Sequence, residues 1–210
     1  MKIVKLTFFY LAIICLAMAL SLAGVRLSIS LGIFAVIAMA MIYRHIHILY
    51  RTNNMGLVDQ WIKNRRKEPI FAALYANAYG TKEEQIHAVE VIIEHYKQPA
   101  VKYNYQFIKA IMEENLGAAK VAAAKMDKEP LASYARCYIA ALEGRTAEMT
   151  SDKLTQPWMQ PAIEAIYAST LKDQASFRQF ADASIEQARG IQKYGLIHNF
   201  RQMEKDLVIK

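Results

Sequence analysis

Hydrophobic positions fall into two regimes along this chain. Residues 6–25 and 27–43 form two continuous apolar runs, of twenty and seventeen residues, with Arg26 as the only charge between them. About 20 apolar residues at 1.5 Å rise each cross a bilayer core of about 30 Å, and about 17 is the lower limit. The pattern predicts a two-helix transmembrane hairpin over residues 1–44, with spans of about 6–25 and 27–43. Gly24 and Ser28 beside Arg26 permit a tight turn, and Arg26 can snorkel to the headgroups. A signal peptide is the competing reading, because Lys2 and Lys5 precede an apolar run that holds Ala17-Met18-Ala19. Cleavage there would leave an N-terminus that is itself a span, which favours the hairpin.

Beyond the apolar runs the pattern becomes amphipathic. Residues 45–68 read as a basic juxtamembrane linker in which Asn53 or Asn54 caps a helix starting near Met55. Leu57, Val58, Trp61 and Ile62 share one side of that helix, and Lys63, Arg65, Arg66 and Lys67 follow. A Trp beside clustered bases suits a lipid interface, so Trp61, Lys63, Arg65, Arg66 and Lys67 are the candidate contacts with anionic lipid of the inner leaflet. The alternative is that Trp61 packs into the body.

From residue 69 onward, apolar residues recur at helical spacing and no strand-like alternation of comparable length exists. Prolines at 69, 99, 130 and 161 punctuate the chain every 30 or 31 residues, with Pro157 alone outside the series. An apolar helical pattern follows each, then a polar break, then a second helical stretch, weakest near Glu148–Leu154. Proline suits a first helical position because its missing N–H had no helical partner. The fold class is therefore all-α: a transmembrane hairpin, then a helical-repeat domain over 69–210 forming an α-solenoid with a closing helix within 193–210. Leu196, Ile197, Phe200 and Met203 should face inward on that last helix.

Across residues 69–192 this organisation resembles the tetratricopeptide-type class of helical repeats. The resemblance implies a right-handed solenoid whose first helices line a concave groove for a protein partner. Tyr75, Tyr79, Tyr103, Tyr105, Tyr134, Tyr138 and Tyr167 belong to those first helices. Tyrosine offers contact area at low entropic cost and a hydroxyl that can pair with a peptide backbone. Tyr75, Tyr79, Tyr105, Tyr134, Tyr138 and Tyr167 are the candidate groove residues. About half of the set should instead fill core.

Charge changes the picture next. The net +7 invites a nucleic-acid reading. Residues 1–67 hold nine bases against the single acid Asp59, a net of +8, whereas the remainder carries −1. The excess is thus membrane topology, and no nucleic-acid partner is expected. Lys and Arg flank the outer ends of the two runs, which places both termini on the cytoplasmic side of a bacterial-type inner membrane. Cys15 and Cys137 are too few for a disulfide framework.

Chemistry is absent from the motifs. There is no Gly-x-Ser-x-Gly elbow, phosphate-binding loop or dinucleotide fingerprint. His45 and His47 diverge by about 200° on a helix, and Glu84 with His87 lacks the second pair a di-iron site needs. Cys137 among Tyr134, Tyr138 and Ile139 reads as a small hydrophobe. No enzyme activity, cofactor or metal is expected. The expectation is a membrane-anchored adaptor or scaffold binding an unidentified protein through its cytoplasmic domain. The rival expectation is an accessory subunit of a membrane transporter or enzyme, bound through the hairpin.

Overall fold

The computed structural model describes the backbone of residues 2–209 and the side chains of residue 11 and residues 13–207. Every regular element among them is helical. The chain divides into two compact units, one up to His47 and one from Ile48 onward.

The first unit holds α1 (Lys2–Leu22) and α2 (Leu27–Ile46). Gly24 sits between them at φ +68°, where a side chain would be strained. The Val25 N–H donates to the Leu20 carbonyl at 3.0 Å and the Gly24 N–H to that of Ser21 at 3.1 Å. This is the Schellman pairing that satisfies the last carbonyls of a helix. No side chain of α2 is buried, and Leu27, Val36, Met39 and Ile42 are all exposed. The helical run Leu27–Arg51 is long and apolar enough to cross a membrane. Among the described residues α1 contributes only the shorter apolar stretch Ile13–Leu22. One stretch therefore qualifies as a span where the sequence suggested two. It also runs past residue 43, because α2 continues into a π-helical turn, His47–Arg51, instead of breaking.

The second unit begins as the Asn residues indicated. Asn54 accepts the Leu57 N–H at 3.1 Å and starts α3 (Met55–Arg65). Then come α4 (Pro69–Tyr79), α5 (Lys82–His95), α6 (Pro99–Met112), α7 (Leu116–Ala124), α8 (Leu131–Leu142), α9 (Met159–Thr170), α10 (Gln174–Gln187) and α11 (Gly190–Ile209). Local capping explains most starts. Thr81 and Glu84 form a reciprocal capping box at α5, while Asn115 and Asp173 cap α7 and α10. Pro69 and Pro99 open α4 and α6; Pro130 stands just before α8, and Pro161 lies two residues inside α9.

The repeat breaks in its third unit. After α8 there is only a single 3₁₀ turn, Thr146–Glu148, where a second helix was expected. Gly144 at φ +70° ends α8, and the segment up to Pro157 has few apolar residues to bury. Met149 and Trp158 do so, and α9 packs directly on α8.

Consecutive helices pack pairwise from α3 to α11, and α11 also packs on α3 and α4. A linear repeat array leaves its two ends apart. Here the last helix returns to the first ones, so α11 joins the ends of the body and does not merely cap an open one. Leu196 and Phe200 of α11 are buried with Phe177, whose ring lies 5.9 Å from that of Phe200. Ile191 and Tyr194 of the same helix join Ile48, Val58 and Ile62 in a separate core cluster.

Much of the interior is alanine: Ala119, Ala132, Ala135, Ala140, Ala141, Ala162 and Ala165 are all buried. Small side chains let helix backbones approach closely, and a close-packed interior leaves no room for added methylenes. Ala162→Leu should lower stability by about 1–3 kcal/mol through overpacking. Phe177→Ala should cost about 3–5 kcal/mol through the cavity it leaves. Chemical denaturation followed by circular dichroism checks both.

Candidate functional site

A set of polar contacts linking three helices centres on Asp59, the lone acid of residues 1–67. Its Oδ1 accepts the Tyr79 hydroxyl at 2.6 Å and the Tyr194 hydroxyl at 3.0 Å, and its Oδ2 pairs with Lys63 at 2.8 Å. One carboxylate thus ties α3 to α4 and to α11. The helix spacing makes this possible: Lys63 is four residues after Asp59 and lies over the same face. Lys63 also sits 4.6 Å above the Tyr79 ring.

These contacts set the protonation of the group. Burial pushes the Asp59 carboxyl upward, but the hydrogen bonds from Lys63, Tyr79 and Tyr194 outweigh it and hold the pKa below the ordinary value. Asp59 and Tyr79 hold Lys63 above its usual range, while burial, then Asp59, push Tyr194 upward. His198 stacks 4.5 Å from the Tyr194 ring and 6.3 Å from that of Tyr79. Burial, then the Arg201 charge, lower its pKa against the opposing pull of Asp59.

The same end of α11 grips the chain leading out of the π-helical turn. Gly190, at φ +56°, donates its N–H to the Thr52 carbonyl at 2.9 Å. A Cβ on Gly190 would lie 2.0 Å from the Leu49 carbonyl oxygen, so only glycine fits. Lys193 reaches Asn53 at 3.2 Å. Sequence reading passed over Gly190, Tyr194 and His198 entirely. The one available signal was an isolated acid among clustered bases, which hints at a structural partner.

The predicted groove tyrosines fall in different packing environments. Tyr75 packs against the cluster of Ile48, Val58, Ile62 and Tyr194, and its ring lies 5.0 Å from Tyr79. Tyr79 itself is 53% exposed. Tyr134 and Tyr138 pack on the α8–α9 core beside Tyr167, and burial pushes Tyr134 well up and Tyr138 up to about 12. Burial, with Tyr96 nearby, also raises Tyr105. Tyr103 packs against the α6–α8 core.

The candidate lipid contacts have company within the body. Trp61 packs against the cluster of Ile48, Val58 and Ile62, and Arg65 stacks 4.4 Å from its ring while pairing with Glu68 at 3.3 Å. Arg66 lies 5.8 Å from the Tyr75 ring. Lys63 serves Asp59, and Lys67 is exposed. Leu57, grouped with Val58 and Ile62 by spacing, is exposed whereas those two are fully buried.

Chemically, the Asp59 cluster can hold helices together and respond to protons. Cys137 is buried and its thiol is pushed upward by that burial, which disfavours the thiolate. Among the described residues no group of three or more His, Cys, Asp or Glu is placed to hold a metal ion.

Two predictions follow from these contacts. Gly190→Ala should destabilise the protein by more than about 2 kcal/mol, since it adds a left-handed strain of about 1–2 kcal/mol to a backbone clash; thermal unfolding measures it. The second concerns His198, which faces Asp59 of α3, Tyr79 of α4, and Tyr194 and Arg201 of its own helix. Its pKa is lowered on folding, so the neutral ring is favoured in the folded state. That contribution is present above about pH 6.5 and is lost as pH falls below it. Between pH 7 and 5 the native protein should lose more thermal stability than His198→Gln does.

No family model, curated protein or solved structure matches this chain.

Proposed function

We propose that this protein is a membrane-anchored adaptor or scaffold, with a two-helix N-terminal hairpin in a bacterial-type inner membrane and a tetratricopeptide-like helical body in the cytoplasm. The observation that carries the reading is the helical run Leu27–Arg51, which is long and apolar enough to cross a membrane and has no buried side chain in its spanning window. In water such a surface would be costly, at about 25 cal/mol per Å² of exposed apolar area, and lipid removes that cost. α1 pairs with α2 as the first arm, and the turn at Gly24 supports a hairpin. Arg44, Arg51, Lys63, Arg65, Arg66 and Lys67 after the second arm, with Lys2 and Lys5 before the first, orient both termini inward. Lys67, in the turn after α3, then meets anionic headgroups.

Function by contact suits a body made of short packed helices. Tethering to a membrane raises the effective concentration of whatever the body binds. The rival reading, an accessory subunit of a membrane transporter or enzyme, draws on the exposed small and apolar faces of α1 and α2. Exchanging residues 1–46 for an unrelated two-span hairpin separates the two. Retained partner recruitment supports the adaptor, and lost recruitment with the body still folded supports the accessory subunit.

Anchoring has its own test. The full chain in isolated membranes should stay in the pellet after alkaline carbonate extraction. Protease added outside spheroplasts should leave the body intact and digest it only after lysis. Extraction into the supernatant would contradict the anchor, and cleavage from outside would contradict the orientation.

A further inference from the structure

Three basic residues from distant parts of the sequence meet where the chain enters the body. The Gly190 N–H donates to the Thr52 carbonyl at 2.9 Å, and the residues next to the two ends of that bond are Arg189 and Arg51. Lys193, one turn further along α11, reaches the Asn53 side chain at 3.2 Å although the two lie 140 positions apart. The register of the contact is fixed, because Gly190 leaves no room for a Cβ against the Leu49 carbonyl.

None of the three cations is neutralised there. Arg51 is exposed, and its guanidinium has no acid partner among the described residues. Arg189 is exposed too, and only its Nη1 is engaged, on the carbonyls of Glu186 and Ala188 at the end of α10. Lys193 meets an amide oxygen and not a carboxylate. Asp59 of α3 is already held by Lys63, Tyr79 and Tyr194, which leaves Glu186 as the acid nearest to Arg189 along the chain. Tyr50, next to Arg51, and Leu57, in the first turn of α3, are large apolar side chains left exposed to 63% and 39%.

Arg51 is also the last residue of the apolar run. That run has 25 residues, about 37 Å of helix at 1.5 Å per residue, against a hydrocarbon core of about 30 Å. The excess of about 7 Å carries its end to the level of the lipid headgroups. We propose that Arg51, Arg189 and Lys193 form a docking site for the phosphate of an anionic lipid, which sets the start of α11 on the membrane surface. The site rests on the run Leu27–Arg51 being a membrane span. Arginine pairs with phosphate through its planar fork, and lysine adds a point charge. An acidic protein segment fits less well, because at headgroup depth it would have to displace lipid.

Native mass spectrometry of the full chain in detergent micelles, titrated with phosphatidylglycerol or with phosphatidylcholine, tests the site. The native protein should bind its first phosphatidylglycerol about tenfold or more tighter than phosphatidylcholine. At about fivefold per base, Arg51→Gln should weaken that binding about fivefold and Arg189→Gln with Lys193→Gln about 25-fold, with phosphatidylcholine binding unchanged. Lys172→Gln with Lys205→Gln, at the far ends of α10 and α11, should alter neither. Equal affinity for the two lipids in the native chain would overturn the site. So would unchanged phosphatidylglycerol binding in the charge variants, or the same loss in the Lys172 and Lys205 pair. Displacement of the lipid by excess inorganic phosphate would overturn it as well, since the occupant would then be a free anion. If the double variant fails to fold, Arg51→Gln alone decides, because that side chain holds nothing within the body. Carbonate extraction reports separately on the anchor: a chain that leaves the membrane yet binds phosphatidylglycerol through these bases contradicts the span and supports the site.

Discussion

A single carboxylate links three helices from the two ends of the body through hydrogen bonds. Short helices are marginal in isolation and gain their stability from packing. In a linear array the end helices have only one neighbour each and fray first. Here α11 gives α3 and α4 a second neighbour, and Asp59 is where the three helices meet through hydrogen bonds. The charge of Asp59 is matched by Lys63 and by two phenolic donors, so the polar group is satisfied while partly withdrawn from water. The aromatic and aliphatic packing of Ile191, Tyr194, Val58 and Ile62 excludes solvent around it.

The consequence reaches the first residues of the body. Gly190 accommodates the Leu49 carbonyl and donates to Thr52, so the start of the last helix and the start of the body are fixed together. A body closed in this way has its first and last helices packed on one another.

Local chemistry was legible in the sequence wherever a few adjacent residues decide the outcome. Asn54 capped α3, Pro69 and Pro99 opened their helices, and the absence of alternation ruled out strands. The inward set Leu196 and Phe200 was readable from spacing alone. The third repeat misled because a proline beat reports helix starts and says nothing of whether a second helix follows. The 3₁₀ turn at Thr146–Glu148 reflects a segment with too little apolar surface to build one. Apolar run length suggested two spans, yet the described side chains supply one full-length stretch, with α2 extended by the π-helical turn.

The site was the least legible part. Asp59 and Tyr194 lie 135 residues apart, and no local period relates them. The tyrosines were conspicuous, but Tyr residues four apart, such as Tyr134 and Tyr138, can serve a groove or a core equally well, and these two are partly buried against the α8–α9 core. The most direct test of the closure is a double-mutant cycle of Asp59→Asn and Tyr194→Phe, followed by denaturant unfolding of the full chain. A coupling energy of about 1 kcal/mol or more between residues so distant in sequence is the result this account predicts. Strictly additive effects would show that Asp59 does not join the two ends of the body.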